Sequence, residues 1–302
     1  MDTVPVRSFS ALPDLIVPRR TIGGRVFDFS REVAVMAIIN RTPDSFYDRG
    51  ATFGLEAAVA AARQAIDDGA DWVDIGGAKF APGPPIPIGE EMDRVVPVVE
   101  ALRGAGVVIS VDTFHPSVAA ASIAAGAHVI NDTTGINDPA MADVIAGSDA
   151  TLVITHSLAP PRTPYPAPSY VDVVGEVSAF LRERVALALA HGVPADRIIV
   201  DPGHDLNKNT SHSLELIRRL GEITALGYPT LVAVSNKDFI GETLDRERDA
   251  RVAGSLAAAV VSILNGARIV RMHNVTDAVD AVRMTEAILG FRQPAYLRHN
   301  QA

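Results

Sequence analysis

The stretch Gly69-Ala70-Asp71-Trp72-Val73-Asp74 has two close counterparts later in the chain, Gly126-Ala127-His128-Val129-Ile130-Asn131 and Gly266-Ala267-Arg268-Ile269-Val270-Arg271. In each copy an Ala-rich segment ends at the glycine, and a short apolar run closing on a polar residue follows at once. A glycine at this position is typical of a left-handed helix cap that leads directly into a β-strand. The repeat therefore predicts helix-then-strand units with very short connections.

Eight short runs rich in Val and Ile follow one another along the chain, with Ala-rich segments of helical periodicity between them. The runs are Val33–Asn40, Trp72–Gly76, Val107–Thr113, His128–Asp132, Thr151–His156, Ile198–Asp201, Thr230–Asn236 and Arg268–His273. The helical segments include Leu55–Asp68, Met92–Arg103, Pro116–Ala125, Val171–His191, Ser213–Leu226 and Ala250–Asn265. Apolar runs without strict alternation indicate parallel strands buried on both faces. Eight such units predict an α/β protein with a (β/α)8 TIM barrel.

A doubly wound open sheet is the alternative fold for alternating strands and helices. It usually has fewer strands and a phosphate-binding glycine turn after the first, and the chain contains neither G-x-G-x-x-G nor a Walker A sequence. The 302 residues suit a single barrel domain. We predict an N-terminal arm over residues 1–30 with a short β-hairpin around Thr21–Phe29, the barrel over 31–290, and a C-terminal tail over 291–302.

The composition excludes several classes of protein. The absence of cysteine rules out disulfide scaffolds, thiolate metal sites and a cysteine nucleophile. A net charge of −9 argues against a nucleic-acid or anionic-membrane surface. The most apolar uncharged stretch, the 16 residues between Arg251 and Arg268, is too short and too polar to span a membrane. With no apolar run like a signal peptide at the N-terminus, we expect a cytoplasmic protein.

Each apolar run closes on polar residues, and in a barrel these strand ends share the face where active sites lie. The polar residues are Asn40, Asp74, Asp112 with Thr113, Asn131 with Asp132, His156, Asp201, Ser235-Asn236-Lys237, and Arg271 with His273. Thr113, Asp132 and Ser235 are each explained as well by helix N-capping. A polar set at all eight strand ends instead indicates a ligand site, because buried polar groups need partners.

Four of these side chains suit the edge of a flat heterocycle. The carboxylates of Asp112 and Asp201 accept ring N–H and amino protons, Asn131 donates and accepts, and Lys237 donates to a carbonyl. An internal salt-bridge network around Lys237 is the alternative. Arg271 and His273 lie two residues apart on one strand and so point to the same side, where they could hold an anionic leaving group such as diphosphate. Their alternative is a pair of satisfied residues at the rim.

The same residues resemble the pterin-binding dihydropteroate synthase family over about Val33 to Ile288. The motifs that carry the resemblance, in family order, are Asn40-Arg41-Thr42-Pro43-Asp44-Ser45-Phe46, Asp74-Ile75-Gly76-Gly77 with Pro82-Gly83, Ser110-Val111-Asp112-Thr113, Asn131-Asp132, Asp201-Pro202-Gly203, Ser235-Asn236-Lys237-Asp238-Phe239-Ile240-Gly241, and Arg271-Met272-His273. The resemblance implies that Asp112, Asn131, Asp201 and Lys237 bind the pterin ring. It implies that Asn40, Arg271 and His273 hold the diphosphate, with Asn40 also a ligand of Mg²⁺, and that Lys237, Arg271 and His273 serve catalysis.

The implied reaction displaces diphosphate from hydroxymethyl-dihydropterin by the amine of p-aminobenzoate. The chain departs from the family where that amine would bind. Ala78-Lys79-Phe80-Ala81-Pro82-Gly83 stands where the family has Glu-Ser-Thr-Arg-Pro-Gly, and Ser235-Asn236-Lys237-Asp238 stands where it has Ser-Arg-Lys-Ser. Leu206 replaces a phenylalanine that would pack against the aromatic amine. The altered acceptor site is thus Lys79, Phe80, Ala81, Asn236 and Asp238.

We therefore expect a small-molecule pterin ligand and a synthase activity that is weak or lost. Asp238 would repel the p-aminobenzoate carboxylate at a helix N-terminus, although it also suits plain N-capping. The alternatives are a pterin transferase with another amine acceptor and a non-catalytic pterin- or folate-binding protein. Corrinoid methyltransferases share the barrel but fit the Asn40–Phe46 run less well. The segment Val252–Asn265 is apolar on most sides, which predicts a homodimer, and coverage of this helix by the N-terminal arm is the alternative.

Overall fold

The computed structural model describes residues 14–41, 54–164 and 167–300. The strands are β1 Arg19–Ile22, β2 Arg25–Asp28, β3 Ala34–Asn40, β4 Trp72–Gly76, β5 Val108–Asp112, β6 Val129–Asp132, β7 Thr151–Thr155, β8 Ile198–Asp201, β9 Thr230–Val232 and β10 Ala267–Met272. The α-helices are α1 Leu55–Asp67, α2 Ile88–Leu102, α3 Pro116–Ala125, α4 Ala140–Ala146, α5 Val173–Ala190, α6 Thr210–Arg218, α7 Leu220–Thr224, α8 Asp238–Leu244, α9 Val252–Leu264 and α10 Val275–Ile288. Within these ranges no helix is both long and apolar enough to cross a membrane. Residues 42–46 of the first-strand motif lie outside the described residues.

Strands β3 to β10 form a closed barrel in chain order, every pair parallel, and β10 returns to pair with β3. The predicted (β/α)8 TIM barrel is confirmed. From β3 to β10 every strand residue is buried except Ile38, Asn40, Asp112 and Arg271, as expected for strands that have a packed interior on one side and helices on the other.

The repeated glycines end helices as predicted. Gly69, Gly126 and Gly266 have φ angles of 96°, 120° and 105°, which strongly favour glycine. Each follows a helix, and the next strand begins within three residues. The short helix-to-strand connections therefore follow from backbone chemistry that is visible in the sequence.

An antiparallel hairpin of β1 and β2 packs against the N-terminal end of the barrel. Phe27 stacks on Phe29 at 5.6 Å between ring centroids and meets the edge of Trp72 at 5.8 Å. Arg20 donates to the Ile198 carbonyl at 2.6 Å and to the Asp196 carbonyl at 3.0 Å, which ties the hairpin to the start of β8. The hairpin and its aromatic side chains cover this end of the barrel, so the opposite, C-terminal end is the open face.

Two predicted elements differ from the structure. The segment Ser213–Leu226, expected as one helix, is divided into α6 and α7 at Arg219, whose φ and ψ of −107° and 20° leave the helical region. The run Thr230–Asn236 is a strand only to Val232, and Asn236 adopts a left-handed φ of 54°. A left-handed residue cannot continue a strand, so the chain turns here toward α8.

Candidate functional site

The strand ends bring the predicted polar side chains together on the open face. Asp112, Asn131 and Asp201 end or nearly end β5, β6 and β8, and Arg271 lies near the end of β10. Asn131 and Asp201 are 2% and 4% exposed. Polar groups buried this deeply require partners, so their contacts define what the site can bind.

Asp74 of β4 is the centre of this network, although the sequence analysis assigned it no role. Its fully buried carboxylate accepts from Ser110 Oγ at 2.6 Å, Asn131 Nδ2 at 3.1 Å and Arg271 Nε at 2.6 Å. The side chain of Asp74 thus links four strands, β4, β5, β6 and β10, through hydrogen bonds. A carboxylate inside an otherwise apolar run, Trp72-Val73-Asp74-Ile75, was the signal that could have found it.

An ion-pair network is present, but it forms around Arg271 and not around Lys237, where the alternative interpretation placed it. Arg271 pairs with Asp74 at 2.6 Å and with Asp112 at 3.1 Å. Within the described residues Lys237 has no carboxylate within 4 Å, and its Nζ donates instead to the His204 carbonyl. The guanidinium of Arg271 therefore lies inside the barrel mouth, where the two carboxylates fix its position.

Burial of Asp112 raises its pKa to about 7, with Arg271 opposing the rise and Asp74 adding to it. Burial also raises the pKa of Asp201, while Gly203 N–H, which donates to Asp201 Oδ1 at 2.7 Å, opposes that rise. The Oδ1 atom of Asn131 is buried and has no partner among the described residues. The mouth therefore presents carboxylate and amide acceptors that a ligand with N–H groups would satisfy.

The loop after β8 is held by a buried lysine that the sequence analysis missed. Lys208 Nζ donates to the Gly203 and Leu206 carbonyls at 2.9 and 3.0 Å and lies 2.8 Å from Nδ1 of His156. Burial lowers the pKa of His156 to about 2, so this imidazole is neutral and its Nδ1 accepts a hydrogen bond from Lys208 Nζ. The contacts fix the loop that follows Asp201.

His204, in that loop, is fully buried, and neither ring nitrogen has a partner within the described part of the chain. Burial holds its pKa well below the usual value, so the ring is neutral. An imidazole without hydrogen bonds retains a desolvation cost that a phenyl ring does not.

We predict that His204→Phe stabilises the ligand-free protein by about 1–2 kcal/mol, because it removes two unsatisfied nitrogens and preserves a planar ring. The midpoint of urea unfolding measures this change. His128→Phe is the matched control and should destabilise, since Nδ1 of His128 accepts from Ile109 N–H at 3.0 Å. A loss of stability in His204→Phe would contradict the prediction and indicate an internal partner for the imidazole.

Three polar strand-end residues do not cap helices as the alternative reading suggested. Asp132 accepts from the backbone of Thr134 and Ile136 and closes its own loop. Thr113 accepts from His115 N–H at 3.2 Å, and the α3 cap residue is His115. Ser235 Oγ lies 2.9 Å from Nδ1 of His273 and accepts the backbone N–H of that residue at 3.1 Å. Ser235 therefore orients the His273 ring.

Asn236 and Asp238, the two residues of the predicted altered acceptor site that lie near α8, both make contacts within the protein. Asn236 is fully buried, donating its backbone N–H to Ser255 Oγ at 2.9 Å and its Nδ2 to Asn274 Oδ1 at 3.3 Å. The Asp238 carboxylate pairs with Arg251 at 2.9 Å and stays 67% exposed.

The first N–H of α8 meets a carboxylate that the sequence analysis did not single out. Asp238 N–H donates to Asp205 Oδ2 at 2.9 Å, and Ser213 Oγ donates to Asp205 Oδ1 at 3.0 Å. Asp205 has a left-handed φ of 63°, which aspartate tolerates better than most residues. Two carboxylates, those of Asp205 and Asp238, thus stand at the start of α8.

On the opposite side, the carbonyls of Phe80 and Ala81 face Arg162, a residue of the loop that follows β7. Asn40 ends β3 beside Gly76, and a Cβ atom on that glycine would lie 3.4 Å from Asn40 Oδ1. The described residues hold no cluster of three or more His, Asp or Glu side chains able to bind a metal ion. A Mg²⁺ ion here would need phosphate oxygens and water to complete its shell, which is how proteins commonly bind it.

Comparison with known proteins agrees with this geometry. Residues 36–273 match the family model described as pterin binding enzyme. The chain is 45% identical over 267 residues to inactive dihydropteroate synthase 2 of Mycobacterium leprae, covering 86% of this chain and 92% of that protein. It is 38% identical over 261 residues to dihydropteroate synthase of Escherichia coli, covering 86% and 93%.

A solved structure gives the same result. Dihydropteroate synthase of Xanthomonas albilineans in complex with 7,8-dihydropteroate superposes with a TM-score of 0.79 at 36% identity, covering 90% of this chain and 99% of that one. The barrel, the strand-end residues and these similarities lead to one conclusion: the chain belongs to the pterin-binding enzyme family, as a divergent dihydropteroate synthase homologue.

Proposed function

We propose that the protein binds 6-hydroxymethyl-7,8-dihydropterin diphosphate and that its synthase activity with p-aminobenzoate is weak or lost. The observation that carries the proposal is the Asp205 carboxylate on the first N–H of α8. An acidic acceptor would have to place its own carboxylate beside Asp205 and Asp238. Like charges about 4 Å apart cost on the order of 1 kcal/mol in water and several at the effective dielectric of a protein.

The proposed pterin-binding part of the site is supported by the hydrogen-bond acceptors at the barrel mouth. Asp112 and Asp201 take ring N–H and amino protons, Asn131 contributes its unpartnered Oδ1, and Lys237 donates to the ring carbonyl. Arg271 is held by Asp74 and Asp112, which leaves it in position to contact the ring or the methylene that carries the diphosphate. The similarity to a protein solved with 7,8-dihydropteroate supports the same ligand class.

The part of the site that binds the diphosphate group consists of Asn40 and His273, with Mg²⁺ as the cofactor. Asn40 supplies an amide oxygen, a ligand type that suits Mg²⁺, and the metal neutralises the leaving group when it is bound. His273, oriented by Ser235, contacts the diphosphate through its other ring nitrogen. In catalysis these groups, with Lys237 and Arg271, would stabilise the charge that grows on the leaving diphosphate.

Two measurements on the parent protein test the proposal. Calorimetry with the pterin diphosphate should give binding, and diphosphate release with p-aminobenzoate should be far slower than for an active synthase measured alongside. A parent that restores growth of a synthase-null strain without added folate products would overturn the loss of activity. Absence of pterin binding would overturn the whole assignment.

A transferase with a different amine acceptor is the second candidate. The Asp205–Asp238 pair favours an amine whose remote group is neutral or cationic, and Lys79 lies on the other altered segment. Diphosphate release with a panel of aryl amines tests this candidate. Release with none of them, together with tight pterin binding, would leave a non-catalytic pterin- or folate-binding protein.

We also propose a homodimer formed through α9. Ala253, Ala257 and Val261 are exposed on this helix, and Val261 is 43% exposed. An apolar groove of about 410 Å³ runs between α6, α8 and α9. A second copy of the chain would cover a face that barrel helices normally keep polar.

We predict that Val261→Glu converts a dimer into a monomer, because the new carboxylate would have to be buried without a partner. Sedimentation at micromolar protein concentration measures the mass of both proteins. Met284→Glu, on the exposed face of α10, is the control and should leave the mass unchanged. A monomeric parent under these conditions would rule out the dimer.

A further inference from the structure

Two loops on the open face are joined by Arg162. The β4–α2 loop comprises residues 77–87, and the β7–α5 loop comprises residues 156–172, of which 165 and 166 lie outside the described residues. Arg162 donates through Nη1 to the Ala81 carbonyl at 2.9 Å, through Nε to the Pro84 carbonyl at 3.0 Å, and through its backbone N–H to the Phe80 carbonyl at 3.0 Å. Gly83 N–H returns a bond to the Arg162 carbonyl at 3.3 Å. The loops therefore act as one unit.

The guanidinium of Arg162 packs directly against Gly83. A Cβ atom at this position would lie 2.3 Å from Nη2, so a larger residue would require the guanidinium to shift. Arg162 itself has a φ of 64°, a strained conformation for a residue with a side chain. Strain of this kind persists where the surrounding contacts hold it, and it concentrates at binding sites.

The unit carries two basic side chains, Lys79 and Arg162, in a chain of net charge −9. Its acidic residue is Asp172, at the end of the β7–α5 loop, and that carboxylate pairs with Arg219 at 2.9 Å. His156 is neutral because burial lowers its pKa to about 2. The hydrogen bonds of Arg162 go to neutral carbonyls, and within the described ranges no carboxylate lies within 4 Å of its guanidinium. A cationic unit of this kind suits an anionic ligand.

The β4–α2 loop starts beside the predicted leaving-group site, since Gly76, which precedes it, is the partner of Asn40 in the β3–β4 pairing. We propose that Arg162, with Lys79 beside it, contacts the diphosphate group of the bound pterin from the β7–α5 loop. This inference rests on the proposed function and extends it. A planar guanidinium matches two phosphate oxygens at once, which a lysine cannot do. Arg162 thus places a guanidinium next to Ala81, where the side chain itself is a methyl group.

The experiment compares Arg162→Met with the parent by calorimetry on three probes: the pterin with diphosphate, the same pterin without it, and inorganic diphosphate. Loss of a charge-assisted bidentate contact should weaken the two diphosphate probes at least about tenfold. The diphosphate-free pterin should bind as before, which also shows that the variant is folded. Arg63→Met, on the exposed face of α1, makes the same charge change and should alter none of the three.

A second variant tests position rather than charge. Ala81→Arg in the Arg162→Met background should recover diphosphate affinity, because the two side chains reach the same loop. An equal loss of affinity for the two pterins would overturn the inference and show that Arg162 only connects the two loops. Unchanged diphosphate affinity would also overturn it. If the parent binds no pterin, the proposed function fails, and inorganic diphosphate still decides the role of Arg162.

Discussion

Replacing Asp201 by alanine or asparagine is expected to lower pterin affinity about a hundredfold, since hydrogen bonds to a charged group contribute about 1.5–3 kcal/mol each. Alanine removes both acceptors. Asparagine keeps an oxygen for Gly203 N–H, which donates to Asp201 at 2.7 Å, and turns the other atom into a donor that faces the donors of the ring. Both variants should therefore lose the ligand, although the asparagine variant keeps the hydrogen bond from Gly203 N–H that orders the loop after β8.

Asp132→Asn is the control that separates stability from binding. The Asp132 carboxylate is satisfied by the backbone N–H groups of Thr134 and Ile136 and by the Thr134 hydroxyl. This variant should unfold at lower urea and still bind a pterin as the parent does. Titration calorimetry measures the affinities, and an Asp201→Asn protein with parental affinity would show that the pterin pocket is placed wrongly.

The second large effect is a gain of function. Combining Asp205→Gly with Asp238→Ser should raise affinity for p-aminobenzoate or a sulfonamide by about 1–3 kcal/mol, because it removes two like charges and restores a hydroxyl at the start of α8. Glycine suits the left-handed backbone at residue 205, where φ is 63°. Asp238→Ser alone should give the smaller gain, since Asp205 would still accept the first N–H of the helix.

Asp245→Gly is the matched control for that gain. Asp245 is also left-handed and exposed, but it lies at the other end of α8, so its loss should not change acceptor affinity. The gain should shrink at high salt, as repulsion between partly exposed charges is screened. Adding Ala81→Arg to the double variant should then affect the rate of diphosphate release more than pterin affinity. A parent that already releases diphosphate as fast as this triple variant would contradict the divergence of the acceptor site.

The sequence by itself was enough to determine the barrel and which polar side chains gather at its mouth. The repeated glycine caps and the eight apolar runs are local signals, in which backbone conformation and burial are set by neighbouring residues. Polar residues that end parallel strands must share one face, so Asp112, Asn131 and Asp201 were expected together before any contact was known.

Only the tertiary structure decided which groups meet. Asp74 and Arg271 are 197 residues apart, and their 2.6 Å contact places the ion-pair network on Arg271 instead of Lys237. Asp205 reaches the start of α8 across 33 residues, and Arg162 reaches Ala81 across 81. The first contact joins two strands, whereas the other two depend on where a loop carries a side chain after its strand has ended. Local sequence patterns specify the strands, whereas packing between loops distant in sequence sets the charges that an acceptor meets.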